Sequence, residues 1–285
     1  MKKGPSLIVF VFCLCSAWNF AHAAAAFDRK ALGNEIDTWM IDNYLKKYYP
    51  ALVDATYGGI ICGYDRQFKA TSMTDKPLNM IARHTWSASM GVMLHPEYAG
   101  FKQAADAGYT WIRDKLWDKT NGGLKGGTNR AGTASSTAGQ YGTLCDKPTY
   151  HIGFGLTALA GYYLATKDTM ALYIAKTVFQ WMEQKAYDTQ YGWYYGFLNN
   201  TGGVIDQNKD TNYGMHYLEG LAWLYIAWPD PQLKARIKEM ADLLVSSKWL
   251  RSSGDFCLNN NRSYTACANS NYGHDAELVY LAYFF

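Results

Sequence analysis

Tyr191-Gly192-Trp193 is followed, after a polar segment, by Asn212-Tyr213-Gly214-Met215-His216-Tyr217-Leu218-Glu219. A glycine turn comes first, and a helix with its polar residues in the first half comes second. The same order recurs in both directions along the chain. Tyr57-Gly58-Gly59, Asn121-Gly122-Gly123 and Ser253-Gly254-Asp255 are turns of the same kind. Successive turns lie about 60 to 70 residues apart, the rhythm of stacked supersecondary units. Between them, apolar residues at three- and four-residue spacing predict helices over 28–49, 76–94, 97–117, 148–166, 168–187, 211–228, 230–249 and 270–285. Each interval therefore holds two helices. The expected fold is all-α, a ring of antiparallel pairs with an outer helix, a glycine loop and an inner helix in each. A closed α/α toroid suits the long polar loops better than an open stack. The segment from Asn121 to Pro148 is too long for a connector, and such loops usually have work to do.

Composition narrows the class. Of 285 residues, 49% are hydrophobic and 18% charged, enough to bury a large core. A net charge of +3 gives no reason to expect nucleic acid as a partner. Aromatics reach 16%, with 23 Tyr and 10 Trp; such rings wedge helices apart or stack on sugars. Lys2 and Lys3, the apolar run Leu7 to Trp18 and the small-x-small triplet Ala21-His22-Ala23 read as a signal peptide over 1–23. Residues 24–285 read as a single domain, secreted or periplasmic, with no membrane association once the signal is cleaved. Cys62, Cys145, Cys257 and Cys267 would then remain, an even number suited to disulfides. Cys257 and Cys267 flank a polar loop and are one candidate pair, leaving Cys62 opposite Cys145. Four cysteines allow three connectivities, and the sequence does not choose among them. Asn199-Asn200-Thr201 and Asn261-Arg262-Ser263 are glycosylation sequons, relevant only to a eukaryotic secretory pathway.

Polar residues gather on the helices that follow the turns. The second helix carries Arg83-His84-Thr85-Trp86, the fourth Tyr150-His151, the sixth His216 with Glu219, the eighth His274-Asp275-Ala276-Glu277. If alternate helices line the ring, all four clusters face one mouth. His and Glu three residues apart share a helix face, so the carboxylate can accept the imidazole N–H and fix its tautomer. Two such pairs beside an arginine point to acid/base chemistry. One rival is a metal site built from His216, Glu219, His274 and Glu277, although no ligand signature is completed and no metal or other cofactor is expected. Another is an α/α-barrel glycoside hydrolase using carboxylates among Asp54, Asp210, Glu219 and Glu277. A non-catalytic glycan-binding protein is the third.

The motifs resemble those of the N-acylglucosamine 2-epimerase and cellobiose 2-epimerase superfamily. Asp54-x-x-Tyr57-Gly58-Gly59 with Arg83-x-x-Trp86-Ser87 is similar to its opening. Asn212 to Glu219 is similar to its central His-x-x-Glu helix, and Tyr272-Gly273-His274-Asp275-Ala276-Glu277 to its Gly-His-Asp-x-Glu helix. Tyr150 to Tyr163 resembles the inner helix between them, and the match runs over residues 30 to 285. The resemblance implies an (α/α)6 barrel. It implies 2-epimerisation, or aldose–ketose isomerisation, at the reducing end of a sugar through an enediolate, without a metal. The catalytic set it implies is His216, Glu219 and Arg83, with Arg83 stabilising the oxyanion. It places His274 and Glu277 on substrate hydroxyls, with Trp86, Tyr150, His151 and Asn212 in the sugar-binding set. His84 and His95 read as outward-facing or structural. A small-molecule sugar is the expected partner, and a homodimer is an allowed assembly. The family carries a second catalytic His on its last inner helix, whereas this chain has none after His274. About two of the six helix pairs are lacking, so the chain reads as a fragment, poorly active as an epimerase on its own.

Overall fold

The computed structural model describes residues 28–71, 75–133, 138–139, 142–143 and 146–284, the backbone alone for 138–139, 142–143 and 282–284. They fall into two compact units, divided between Leu45 and Lys46. The signal peptide expected over 1–23 lies outside the described residues. In the first unit, α1 (Arg29–Met40) is capped by Asp28, whose carboxylate accepts the Lys30 and Ala31 amides at 3.0 Å. A π-helical turn, Ile41–Leu45, follows it.

The second unit is built of helix pairs. Its inner helices are α3 (Leu78–Leu94), α5 (Thr149–Thr166), α7 (Thr211–Ala227) and α9 (Tyr272–Phe284). Its outer helices are α2 (Lys46–Leu52), α4 (Ala99–Trp111, prolonged by a π turn to Leu116), α6 (Thr169–Lys185) and α8 (Pro231–Leu244). Helix α5 packs against α3 on one flank and α7 on the other, with α6 behind it; α4 backs α3, α8 backs α7, and α9 touches α7. Every residue of α5 from Thr149 through Tyr162 is buried, which is what an apolar surface all round a helix requires. Small residues bring its backbone against α7. A Cβ on Gly153 would stand 2.4 Å from the His216 carbonyl oxygen, and one on Gly220 2.4 Å from that of Gly153. Asp168 and Asp230 cap α6 and α8. Helix α8 stops short of the expected 249 because the Ser246 hydroxyl bonds the Leu243 carbonyl at 2.6 Å and competes with the helical pattern.

The loops repeat in atomic detail. Asp54, Asp118 and Asp188 each open a turn and accept the amides two and three residues on. The turns close through the bridges Val53–Ile60, Trp117–Leu124 and Tyr187–Tyr194. Gly58, Gly59, Gly122, Gly123 and Gly192 adopt positive φ there, the conformation for which glycine suits such turns. Short strands precede the inner helices. β1 (Lys76–Pro77) pairs with β2 (Gly127–Thr128), and β3 (Ala138–Gly139) with β4 (Gly142–Thr143). β5 (Lys147–Pro148) pairs with β6 (Phe197–Leu198), itself paired with β7 (Val204–Asp206). β8 (Lys209–Asp210) pairs with β9 (Asn259–Asn260), and β9 with β10 (Cys267–Ala268).

The lysines of β1, β5 and β8 are buried bolts. Lys76, Lys147 and Lys209 are 1%, 0% and 0% exposed and reach Asp54, Asp118 and Asp188 at 3.1, 2.9 and 3.0 Å. Arg130 and Arg262 add bidentate bonds to Asp54 and Asp188, each at 2.8 and 3.1 Å. At the corresponding place after β6 stands Asn200, whose carbonyl accepts from Lys147 instead. Burial alone would raise the Asp54 and Asp188 carboxyls. Their arginine, lysine and amide donors outweigh it and hold both well below the usual carboxylate range. This corrects the reading of Asp54 as a hydrolytic carboxylate: it is a sealed structural anion.

Cys257 and Cys267 form a disulfide that ties β9 to β10. Cys62 is a buried free thiol, and Cys145 lies outside the described residues, as does part of the Lys125–Cys145 loop. Among the described residues, no helix is long and apolar enough to cross a membrane.

Candidate functional site

The bolts set the depth of the inner helices, and the depth sets the site. Arg83, Phe154 and His216 each lie seven residues after Lys76, Lys147 and Lys209. With Glu277 they are the sixth residues of α3, α5, α7 and α9, and so occupy one level of the inner wall. His216 is 5% exposed. Its Nδ1 lies 3.0 Å from Glu219 Oε2, one turn further along α7, and its Nε2 lies 3.7 Å from Glu277 Oε1 on α9. A carboxylate can only accept here, so Nδ1 carries the proton toward Glu219 and the Nε2 lone pair is the basic end. The Tyr150 ring meets His216 edge-on at 5.3 Å, and the Phe154 ring lies 4.4 Å from it.

Arg83 completes the level from α3. Its guanidinium donates to the Tyr150 hydroxyl at 2.9 Å and sits 3.8 Å from the centre of the Phe154 ring. Arg83 is exposed, whereas Tyr150 and Phe154 are 8% and 6% exposed. A fixed cation at the open side and a carboxylate-oriented imidazole on the wall thus flank one aromatic pair. The arrangement offers a base and an oxyanion partner to a ligand entering between them.

The other expected residues are placed differently. Trp86 lies one turn deeper than Arg83, edge-on to Trp223 at 5.3 Å, and its indole N–H is buried without a hydrogen-bond partner among the described residues. Asn212 is the second residue of α7, two residues after the capping Asp210. Burial pushes the Asp210 carboxyl up, although it accepts the Tyr213 amide at 2.9 Å. His274 is the third residue of α9, with Nδ1 buried and unpartnered among the described residues; Glu277 of that helix reaches His216. His151 is turned toward the loop: its Nδ1 donates to the Gly126 carbonyl at 2.9 Å, which also accepts the Leu78 amide at 2.8 Å. Through this bond the ring ties the starts of α3 and α5 to the loop between them. His84 bonds the Tyr48 hydroxyl at 3.3 Å, and His95 lies 3.4 Å from Glu97. Among the described residues, no group of three or more His, Cys, Asp or Glu is placed to hold a metal ion.

Phe154 was invisible to a search for polar residues. The signal that could have found it is the constant spacing from the lysine that opens each inner helix.

No protein-family model matches the sequence. The chain is 24% identical over 263 residues to a cellobiose 2-epimerase of Bacteroides fragilis, covering 88% of this chain and 64% of that one. It spans 64% of the length of that curated relative. Its structure is similar to that of a cellobiose 2-epimerase from Spirochaeta thermophila, with a TM-score of 0.78, 21% identity, and 90% and 64% of the two chains covered. It is also similar to a D-mannose isomerase, with a TM-score of 0.76, 17% identity, and coverage of 91% and 64%. The four helix pairs described above thus match part of an (α/α)6-barrel fold, and the resemblance read from the sequence holds along most of the chain.

Proposed function

We propose that the chain carries the acid/base half of a carbohydrate 2-epimerase or aldose–ketose isomerase site. The observation that carries this reading is the His216–Glu219 pair at 3.0 Å, facing Arg83 across the Tyr150–Phe154 pair. The substrate is a reducing sugar in its open form, with a C1 carbonyl that acidifies the C2 proton. Nε2 of His216 takes that proton. The C2–H electron pair becomes the C1–C2 double bond, and the carbonyl pair moves onto O1. Arg83 supplies the positive charge for the resulting enediolate, pinned in place by the Tyr150 hydroxyl. Return of the proton to C1, with the O2 proton passing to O1, gives the ketose. Return to C2 from the opposite face gives the epimer and needs a second acid. Isomerisation is the reaction that a single acid/base group such as His216 can complete. The similarity to cellobiose 2-epimerases and a mannose isomerase supports the sugar class.

The test is proton exchange at C2. The protein, at its natural length, is incubated in D2O with mannose, N-acetylglucosamine or cellobiose and followed by NMR. One sugar class should gain deuterium at C2, and His216→Ala should slow this by roughly 10²–10⁴-fold, the usual contribution of a positioned acid/base group. Arg83→Met should cost about 10²–10³-fold. Exchange unaffected by His216→Ala sinks the assignment, as does a folded protein that cleaves glycans and exchanges nothing.

Export is also proposed, supported by the basic start, the apolar run and the Ala21-His22-Ala23 triplet. The mature protein should begin at Ala24 on N-terminal sequencing; an intact Met1 in the exported material would overturn it.

A further inference from the structure

The level that holds Arg83, His216 and Glu277 has one member without polar chemistry, Phe154 on α5. Helix α5 stands between α3 and α7. From it the Phe154 ring touches the key group of each neighbour, the Arg83 guanidinium at 3.8 Å and the His216 imidazole at 4.4 Å. Both contacts suit an aromatic face. A guanidinium is drawn to the negative face of the ring, and an imidazole packs on it as another aromatic does. Phe154 is 6% exposed, held by the same buried helix whose Gly153 lies against the His216 backbone. Its position is thus fixed by the scaffold rather than by its contacts with the two groups.

Resting on the reading proposed above, we propose that Phe154 is a positioning residue. Its ring is the spacer that sets the separation of the Arg83 cation from the His216 base. The enediolate forms between a group that takes the C2 proton and one that receives charge on O1. Those atoms belong to adjacent carbons, so base and cation must keep a fixed offset. Glu219 holds His216 from one side, and Tyr150 reaches both groups, with its hydroxyl on Arg83 and its ring edge toward His216; Phe154 makes the closer ring contact with each.

Three variants of the natural-length protein test this: Phe154→Leu, which keeps apolar bulk but loses the ring face, Phe154→Tyr, which keeps the face, and Phe154→Ala. Kinetics on the responding sugar should show Phe154→Leu losing about 10–100-fold in kcat, the scale of a misplacement of about 1 Å, with KM within about threefold. Phe154→Tyr should retain most of kcat. A raised KM with kcat intact would overturn the proposal and make Phe154 a sugar-stacking surface. Loss that only tracks the unfolded fraction, read by urea denaturation of Phe154→Leu and Phe154→Ala, would reduce it to a packing residue. A second readout needs no substrate. At fixed pH, the His216 ring protons should move in the NMR spectrum of Phe154→Leu, as the ring current of Phe154 is removed, and stay near the wild-type position in Phe154→Tyr. Unmoved His216 signals in Phe154→Leu refute the spacer even if the sugar chemistry stands. If no sugar exchanges in the wild type while the His216 signals shift as expected, it is the C2 reading that has failed.

Discussion

His151 and His216 are both buried and sit on adjacent inner helices, yet they face different partners. His216 meets two carboxylates, whereas His151 meets a backbone carbonyl. Burial pushes the His151 pKa down to about 4, and the Gly126 carbonyl only partly opposes it. Burial, with help from Arg83, pushes His84 down to about 4 as well. The unfolded chain takes up these protons near pH 6.5, and the folded chain resists until about 4. Between those values the unfolded state binds more protons, so stability rises with pH and is lost on acidification through this window. The urea midpoint should fall from pH 7 to pH 4.5, and His151→Gln should flatten that slope. An unchanged slope would mean that His151 is charged in the fold. Gly153 gives a purely steric prediction. Gly153→Ala puts a methyl 2.4 Å from the His216 carbonyl oxygen, so α7 must yield. Overpacking of this kind costs about 1–3 kcal/mol, measurable by urea unfolding, and should displace His216 enough to lower proton exchange. Histidine and glutamate at helical spacing could be recognised from the sequence because polar residues on an apolar helix stand out. Phe154 could not, since one more apolar residue in α5 carries no such signal.

At the scale of elements, the three lysine bolts are not equivalent. Asp54 and Asp188 each keep an arginine if their lysine is lost, but Asp118 has Lys147 as its charged partner. Lys147→Met should therefore be the most damaging of the three Lys→Met changes, costing roughly 3–5 kcal/mol as an unpaired buried charge. Adding Asp118→Asn, which can still accept the Thr120 and Asn121 amides, should recover much of the loss. Equal costs for Lys76→Met, Lys147→Met and Lys209→Met in urea titrations would refute this ranking. Helices were readable because their apolar spacing is local and long. The two-residue strands were not: they are too short to show alternation. The bolts were hidden because each joins residues about twenty or thirty apart that look like ordinary surface charges.

For the whole molecule, the rhythm of glycine turns was enough to specify alternating inner and outer helices, since period is a property of many residues together. The second unit also shows an apolar groove of about 520 Å³ between α7, α8 and α9, lined by Leu218, Ala222, Ile237, Ala241, Leu244 and Leu278 among others. A hydrophobic dye such as ANS should light up on the native protein through this groove. Ile237→Glu should quench that signal at unchanged urea stability; retained fluorescence would place the dye elsewhere.

The seven-residue interval between each bolt lysine and its partner at the ring level works as a ruler, with its zero mark at the lysine. Each residue added after the mark turns the helix face by about 100° and lifts it by about 1.5 Å. A single insertion between Lys209 and His216 would swing the imidazole out of the mouth while leaving every residue type intact. Insertions ahead of the lysine are absorbed by a loop whose length the ruler does not measure. Sequence drift in this architecture is therefore free to lengthen the rim and to reshape what it admits, while the distance from anchor to chemistry stays locked.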